Sequence, residues 1–394
     1  MALAGLKVIE FAGLAPGPFA GLVLADNGAK VVRVDRPNSS SSDVLNRGKR
    51  SIAVDSKVPA GRELLKKMIA SADVVIDPFR PGVMERMGLG PEVFLGDGHK
   101  AGLNERLVYA RIVGFPRTGS HKDMAGHDIN YAALSGVLSM LPGTKPTFPL
   151  NLLADFAGGG MMCALGILLA LIERGASGKG QVVNTDMVAG SRYVSSFPLI
   201  HTLIPNSPMA GGPRGTNPLD GGAPFYNLYA CKDGGWMSVG CLEPQFFKAF
   251  LELFLKSIPQ DLIGPGCWKP TLATQGNRAE WSKLADFLEK GFLTNTREYW
   301  TNVYHETEAC TVPVLTPAEA GKASKSLIPE AHPLVRSQIP GGPHQTPLPT
   351  MRPGILLPGQ DTDNILREYG LGEDERRSLS ETAALGKPST KAKL

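Results

Sequence analysis

The first third of the chain alternates short β-type runs with helical patterns, and this alternation constrains the fold more than any other feature. It is typical of a doubly wound parallel α/β sheet. The predicted strands lie at residues 8–9, 30–34, 52–54, 73–76 and 107–112, with a further one at 181–184. The predicted helices between them lie at residues 19–27, 60–71 and 84–87. Such a sheet binds ligands in the loops that follow the carboxyl ends of its strands.

The pattern changes in the second half of the chain. Residues 204–222 are rich in Pro, Gly and Asn, as a linker is, and residues 225–230 and 236–240 then flank a Gly-rich turn and predict a β-hairpin. Helical patterns follow at residues 245–255, 278–290, 297–307 and 363–369. We therefore expect a large α/β domain of residues 1–203 and 325–394, a linker of 204–222, and a smaller α+β domain of 223–324.

Composition excludes several classes of protein. The 46 Gly and 32 Pro residues among 394 are too many for a helical bundle, whereas 42% hydrophobic residues suffice for a buried core. The net charge is only +4, and no run of basic and aromatic residues accompanies it, which argues against nucleic acid as a partner. Five cysteines without a C-x-x-C pair favour a reducing compartment.

One uncharged stretch, residues 156–172, reaches the lower length limit of a membrane span. Its three consecutive glycines, and the flanking Asp155 and Glu173, favour a buried helix instead. We therefore expect no membrane partner.

Common fingerprints of cofactor and metal chemistry are missing from the sequence. The first βα turn has glycines at 13, 17 and 21, which is not G-x-G-x-x-G, and Pro16 and Pro18 remove backbone donors there. No P-loop, H-E-x-x-H or G-x-S-x-G occurs. We expect no metal site and no bound cofactor.

Basic residues recur in the loops after the predicted strands, among them Arg36, Lys57, Arg80 and Arg86. Gathered at one edge of the sheet, they would suit a multiply phosphorylated ligand. A solvated surface charge is the alternative interpretation of each one.

Two residues are candidates for a catalytic role. His127 precedes a helical pattern, and Asp155 precedes Phe156 and the glycines at 158–160. Asp155 also stands where a helix N-cap is expected, so a capping role is the alternative. Three glycines near a helix start cost about 1 kcal/mol each, which suggests that something approaches the backbone closely there.

Several motifs together resemble the racemase branch of the class III CoA-transferase family, and the resemblance runs from Leu3 to about Thr316. The matching stretches are residues 10–18, 32–37, 47–51, 125–131, 151–160, 178–181 and 220–226. The resemblance implies the family III CoA-transferase fold, a Rossmann-like large domain with a smaller α+β domain, assembled as an interlocked homodimer.

The resemblance also implies an activity, the interconversion of (2R)- and (2S)-2-methylacyl-CoA by 1,1-proton transfer through an enolate. By family match His127 and Asp155 are the acid–base pair, and Glu243 is the carboxylate that partners the histidine. The helix N–H groups beside Asp155 would hold the enolate oxygen. CoA is part of the substrate, so no separate cofactor is implied.

The family's CoA contacts carry over onto a set of residues in the first domain: Arg36, Val54, Asp55, Ser56, Lys57, Arg80, Arg86, Gly126, Asp128, Ile129, Asn130 and Tyr131. One departure lies nearby. After Ile112 the family has Ser or Thr, Gly, an aromatic residue, Gly and Gln, whereas this chain has Val113-Gly114-Phe115-Pro116-Arg117. That departure is expected to change CoA affinity or acyl-tail preference and leaves the acid–base pair intact.

Two other functions compete with the racemase. A CoA transferase of the same family would use Asp155 as a nucleophile, but such enzymes lack the Gly-His-Asp segment that contains His127. A non-catalytic acyl-CoA-binding relative would be expected to have lost His127, Asp155 or Glu243, and all three are present.

The last three residues, Ala392-Lys393-Leu394, resemble the S-K-L peroxisomal address and would bind the import receptor. We expect a peroxisomal enzyme that feeds branched-chain fatty acid or sterol side-chain β-oxidation. Mitochondrial or bacterial cytoplasmic locations are the alternatives.

Overall fold

In a computed structural model, the structure describes residues 1–333, 335 and 354–386. The chain forms two compact units. The first contains Met1–Val137, Phe148–Ser195 and the described part of Glu330–Leu394, and the second contains Leu138–Thr147 and Ser196–Pro329. The expected linker, residues 204–222, falls within the second unit, and residues 138–147 join that unit although the sequence assigned them to the large domain.

The first unit is built on a parallel sheet of six strands in the order β3-β2-β1-β4-β5-β6. The strands are β1 Lys7–Phe11, β2 Lys30–Asp35, β3 Lys49–Ala53, β4 Val74–Asp77, β5 Val108–Val113 and β6 Gln181–Asp186. Ile9 on β1 is paired with Val32 on one side and Val75 on the other. β-Branched residues predominate in the central strands, as expected where both faces are covered. The expected doubly wound α/β fold is confirmed.

Helices cover both faces of this sheet, as the alternating pattern predicts. The helices of this unit are α1 Pro16–Asp26, α2 Pro59–Ala70, α3 Val83–Arg86, α4 Pro91–Leu95, α5 Asp128–Leu134, α6 Met162–Ser177, α7 Met187–Val194, α13 Thr362–Glu368 and α14 Glu373–Glu381, with α8 to α12 in the second unit. The C-terminal segment packs against β3, where the backbone N–H of Ser51 donates to Asp361 and Arg50 pairs with Glu368.

The uncharged stretch forms one long helix with an irregular start. Residues Leu152–Met161 are π-helical and continue directly into α6. The π-helical segment lies so close to α7 that a Cβ on Gly190 would sit 1.8 Å from the carbonyl oxygen of Gly158. Close helix packing therefore explains the glycine at these two positions.

Among the described residues, Leu152–Ser177 is also the one helix whose length and mean hydropathy, 1.9, would suffice to cross a membrane. Core helices of water-soluble proteins often pass the same criterion, and 39% of this apolar window is buried within the protein. The criterion alone therefore does not indicate a span, and the expectation of no membrane partner stays a prediction.

The second unit is a smaller α+β structure. Its antiparallel sheet has the order β7-β8-β9, with strands Tyr226–Ala230, Trp236–Gly240 and Thr311–Pro313. Its helices are α8 Ser196–His201, α9 Pro244–Ser257, α10 Trp281–Phe292, α11 Arg297–Tyr304 and α12 Pro317–Ala323. Aromatic side chains dominate the core, where Phe254 stacks on Trp300 with ring centroids 5.3 Å apart.

Candidate active site

A cavity of about 290 Å³ lies at the carboxyl edge of the sheet in the first unit. His127 and Asp155 both line it, and Arg80 and Tyr131 lie along its wall. The two residues that the sequence proposed for proton transfer therefore line one cavity, although they are 28 positions apart in the chain.

His127 is the extended residue immediately before α5, with φ −130° and ψ 177°. Its backbone N–H donates to the side-chain oxygen of Asn130 at 3.0 Å, and its carbonyl accepts from the N–H of Asn130 at 2.8 Å. These reciprocal bonds fix the backbone at the start of the helix, while the imidazole stays exposed to the cavity.

Asp155 lies inside the first turn of the π-helical segment, and Asn151 precedes that segment. The alternative of a helix cap for Asp155 is therefore wrong at this position. Asn151 Nδ2 instead donates to Asp155 Oδ2 at 3.2 Å. Burial raises the pKa of Asp155 above its ordinary range, and the Asn151 hydrogen bond opposes that shift.

π-Helical turns are rare and frequently occur at functional sites. Here the wider turn carries the acid–base candidate Asp155.

Two backbone N–H groups at Asp155 are not free to hold an enolate oxygen. Asp128 Oδ1 accepts the N–H of Ala154 at 2.8 Å and that of Asp155 at 2.7 Å. The glycines at 158–160 are buried and pack on other backbone atoms, including the carbonyl of Pro16. Two of the N–H groups that could have formed the expected oxyanion hole are therefore occupied by another carboxylate, and an oxyanion hole at the others stays a prediction.

A second cavity of about 580 Å³ shares Asp155 with the first and extends to Arg36 and the loop of residues 39–42. A buried cluster holds the base of that loop. Arg33, 1% exposed, donates to Asp35 and to Asp43, each at 2.9 Å. The Arg33 guanidinium thereby connects the end of β2, at Asp35, to the end of the loop, at Asp43. Arg36 lies between these two points in the chain and lines the cavity.

The predicted CoA contacts fall into two groups. Arg36, Arg80, Gly126 and Tyr131 line the two cavities. The others do not line them in the described part of the chain: Val54, Asp55, Ser56, Lys57, Arg86, Asp128, Ile129 and Asn130.

The residues after β3 have local partners. Val54 is 2% exposed, the N–H of Asp55 donates to Ala384 O at 2.7 Å, and Asp55 accepts the N–H of Lys57 at 2.9 Å. Arg62 donates to the carbonyl of Lys57, also at 2.9 Å. Their contact with CoA stays a prediction.

One wall of the cavity that Asp155 lines depends on the ring of Tyr131. Its hydroxyl donates to the carbonyl of Gly126, and its ring meets Phe115 edge-on at 4.9 Å. A Cβ on Gly114 would lie 2.0 Å from this ring, so only glycine fits there. Of the three residues that depart from the family pattern, Val113 lines the His127 cavity, beside Gly114 and Phe115, which match that pattern.

Pro116 and Arg117, the end of that departure, turn away into a separate cavity of about 620 Å³. Arg117 lies 3.6 Å from Glu85, which also pairs with Arg111 at 3.0 Å. The side chains of Pro116 and Arg117 therefore lie outside the cavity of the acid–base pair.

Glu243 belongs to the second unit, where it immediately precedes α9 and is exposed. Its partnership with His127 stays a prediction. Ala392, Lys393 and Leu394 lie outside the described residues.

Sequence reasoning missed two features of the site: the contact of Asn151 with Asp155, and the structural role of Asp128. The spacing of four between Asn151 and Asp155 was a usable signal, because residues four apart face each other on a helix. Asp128, in contrast, meets Asp155 only through the tertiary fold.

Comparison with known proteins places this geometry in context. The family model described as CoA-transferase family III matches residues 3–347. Two relatives named alpha-methylacyl-CoA racemase, from Mus musculus and Homo sapiens, are each 43% identical over 409 residues and cover 100% of both chains. A crystal structure of a CAIB/BAIF family protein from Brucella suis is 23% identical, with a TM-score of 0.73 over 93% of this chain and 99% of that one, and shares the fold.

Proposed function

Because this chain belongs to CoA-transferase family III, we propose that it interconverts the 2R and 2S epimers of 2-methylacyl-CoA thioesters by proton transfer at C2. The observation that supports this most is the pair of residues, His127 and Asp155, around one cavity. The full-length similarity to racemases from mouse and human supports the same reaction.

The chemistry follows from the weak acidity of a proton beside a thioester carbonyl. One residue removes the C2 proton, the electron pair moves onto the carbonyl oxygen as an enolate, and the other residue returns a proton to the opposite face. The roles exchange with the direction of reaction. Burial raises the pKa of Asp155, which brings its proton affinity closer to that required of a base at neutral pH.

We propose that the reaction uses side chains alone, since the thioester itself delocalises the negative charge. Glu243 is proposed to accept a hydrogen bond from His127 and thereby fix the tautomer of the imidazole.

Arg36 and Arg80 are proposed to contact the phosphates of CoA, and Gly126 and Tyr131 to contact the rest of the carrier. In the same proposal, the residues after β3 (54–57), Arg86 and the start of α5 (128–130) contribute outer contacts.

A homodimer is the proposed assembly. Helix α6 exposes an apolar stripe at helical spacing, with Leu165 43%, Leu169 58% and Ile172 73% exposed. Such a stripe on a protein surface marks a contact site. A second copy of the chain is the proposed occupant.

Peroxisomal import through Ala392-Lys393-Leu394 is also proposed. Fusing the last dozen residues to a fluorescent protein tests it in eukaryotic cells. Punctate signal that coincides with peroxisomes is expected, and a diffuse signal would refute the location.

The activity is tested with a single pure epimer. Incubation of a (2R)-2-methylacyl-CoA with the enzyme should yield the 2S epimer until the two approach equal amounts, as followed by chiral chromatography. If CoA is instead transferred from the acyl group to an added carboxylic acid, the chain is a CoA transferase that uses Asp155 as nucleophile. If the substrate is bound but unchanged, the chain is an acyl-CoA-binding protein.

A further inference from the structure

Asp128 is a buried carboxylate that joins the two halves of the acid–base pair. It follows His127 in the chain and is 6% exposed. Its Oδ1 accepts both the N–H of Ala154 and the N–H of Asp155, at 2.8 and 2.7 Å. Two short bonds to one oxygen hold the backbone of Asp155 against the first turn of α5.

A second contact system fixes the other side of the same segment. The N–H of His127 donates to Asn130, and the hydroxyl of Tyr131 donates to the carbonyl of Gly126. His127 and Asp128 therefore lie in a short stretch of backbone whose position is determined on both sides. The two hydrogen bonds that Asp128 accepts therefore link the backbone next to His127 to the backbone of Asp155.

The second oxygen of Asp128 distinguishes it from an ordinary helix cap. Oδ2 is buried and has no hydrogen-bond partner among the described residues. An uncompensated carboxylate oxygen is costly in a protein interior. A neutral side chain such as Asn could accept the same two hydrogen bonds without that cost. The negative charge of Asp128 therefore needs an explanation of its own.

We propose that Asp128 is a positioning residue for the proton-transfer pair: it sets the separation of His127 and Asp155 and places a negative charge beside the Asp155 carboxylate. This rests on the proposed racemase function, since only proton transfer requires both residues at a fixed separation. A misplacement of about 1 Å between reacting groups can cost about 100-fold in rate.

The electrostatic surroundings agree with that role. Burial is the main cause that raises the pKa of Asp155; the hydrogen bond from Asn151 lowers it, the negative charge of Asp128 raises it and His127 lowers it. Tyr131 faces the same carboxylate from α5. The remaining charged side chains around the cavities that Asp155 lines are those of Arg33, Asp35, Arg36, Asp43, Arg80 and Lys122.

Helices α1 and α7 also pack against the π-helical segment. Among the described residues, the side chains that they bring to the two cavities are Pro16, Pro18 and Met187, all uncharged. Asp128, at the start of α5 and next to His127, is therefore the negative group beside Asp155.

Two substitutions separate position from charge. Asp128→Asn keeps an oxygen acceptor for the two N–H groups and removes the charge, whereas Asp128→Ala removes both. We expect Asp128→Asn to keep kcat within about fivefold and to move the acid limb of the kcat–pH profile to lower pH. Asp128→Ala should lower kcat by about 100-fold.

A matched control is available at the start of α7. Asp186 caps α7 by accepting the N–H of Ala189 at 2.8 Å and lines neither cavity of the acid–base pair. Asp186→Asn should leave kcat and the acid limb unchanged. Urea unfolding of all three variants reports whether each remains folded, and if Asp128→Ala does not fold, Asp128→Asn carries the test.

The proposal is overturned if Asp128→Asn leaves the acid limb in place, or if Asp128→Ala keeps the wild-type kcat. A readout independent of turnover keeps it distinct from the proposed function. In protein labelled with ¹³C at aspartate carboxyl groups, the Asp155 signal should titrate at lower pH in Asp128→Asn than in the wild type. An unchanged titration would refute the role of the charge even if the chain proved to be a CoA transferase.

Discussion

At the scale of single residues, three carboxylates of this chain differ in their burial and in their surroundings. Asp155 is half-buried beside a cavity, Asp128 is buried against backbone N–H groups, and Asp77 is 2% exposed at the end of β4. The sequence pointed to Asp155 through its motif. It could not indicate that Asp128 meets Asp155, because 27 residues separate them and the contact exists only after the sheet has formed.

The hydrogen bond from Asn151 to Asp155 predicts a shift in pH dependence. Asn151→Ala removes a donor that lowers the pKa of Asp155, so that pKa should rise and the acid limb of the kcat–pH profile should move to higher pH. A net hydrogen bond of about 1 kcal/mol corresponds to roughly 0.7 pH unit. Steady-state rates between pH 5 and 9 measure the shift, and a limb that moves to lower pH would contradict it.

Asp77 predicts a pH dependence of stability. Burial raises its pKa to about 6, so between about pH 4 and pH 6 the folded protein binds a proton that the unfolded chain has released. The free energy of unfolding should therefore fall by up to about 3 kcal/mol as the pH rises through that window.

Asp77→Asn keeps an acceptor for the N–H of Phe79 and should remove this fall. Urea unfolding at pH 4, 5, 6 and 7 compares the two proteins. Parallel pH dependence in both would show that Asp77 is not responsible.

At the scale of elements, the sequence predicts most strands and helices, because hydrophobic periodicity and flanking Gly or Pro carry the signal. The predicted strand at residues 30–34 is β2, Lys30–Asp35, and the predicted hairpin strands 225–230 and 236–240 are β7 and β8. The π-helical start of the long helix could not be predicted. The segment packs closely against α1 and α7, and local propensity does not encode such tertiary contacts.

The close approach of Gly158 and Gly190 predicts a large effect of one methyl group. Gly190→Ala would place a Cβ 1.8 Å from the Gly158 carbonyl, so the helices must separate. We expect a loss of about 3 kcal/mol in the free energy of unfolding, together with reduced activity, since Asp155 lies on the displaced segment.

The control is Gly175→Ala, on the exposed part of α6 where an added Cβ meets no atom within 4 Å. It should stabilise the protein by up to about 1 kcal/mol. Equal effects of the two substitutions in urea unfolding would contradict the packing argument.

At the scale of the whole molecule, family membership and the two-part organisation follow from motifs spread along the chain. The six-strand order 3-2-1-4-5-6 is the arrangement that the alternating pattern favours. The exact extent of each unit could not be predicted, because residues 138–147 are separated in sequence from the rest of the second unit and join it through tertiary contacts.

The apolar stripe on α6 predicts the consequence of a charge there. Leu169→Glu should convert the proposed dimer into monomers, because a carboxylate would have to be desolvated at the interface. Leu103→Glu is the control, since that leucine is equally exposed, at 57%, and lies outside the stripe. Light scattering coupled to size exclusion measures both masses, and a dimeric Leu169→Glu would place the interface elsewhere.

The central claim is that His127 and Asp155 exchange the C2 proton of an acyl-CoA with solvent. Its most direct test is incubation of a (2R)-2-methylacyl-CoA in heavy water, followed by mass spectrometry and chiral separation. The wild type should introduce deuterium at C2 and yield both epimers.

In the same experiment, Asp155→Asn and His127→Ala should each lower the rate of epimerisation by about 10²- to 10⁴-fold while still binding the substrate. Recovery of undeuterated 2R substrate from the wild-type protein would contradict the account.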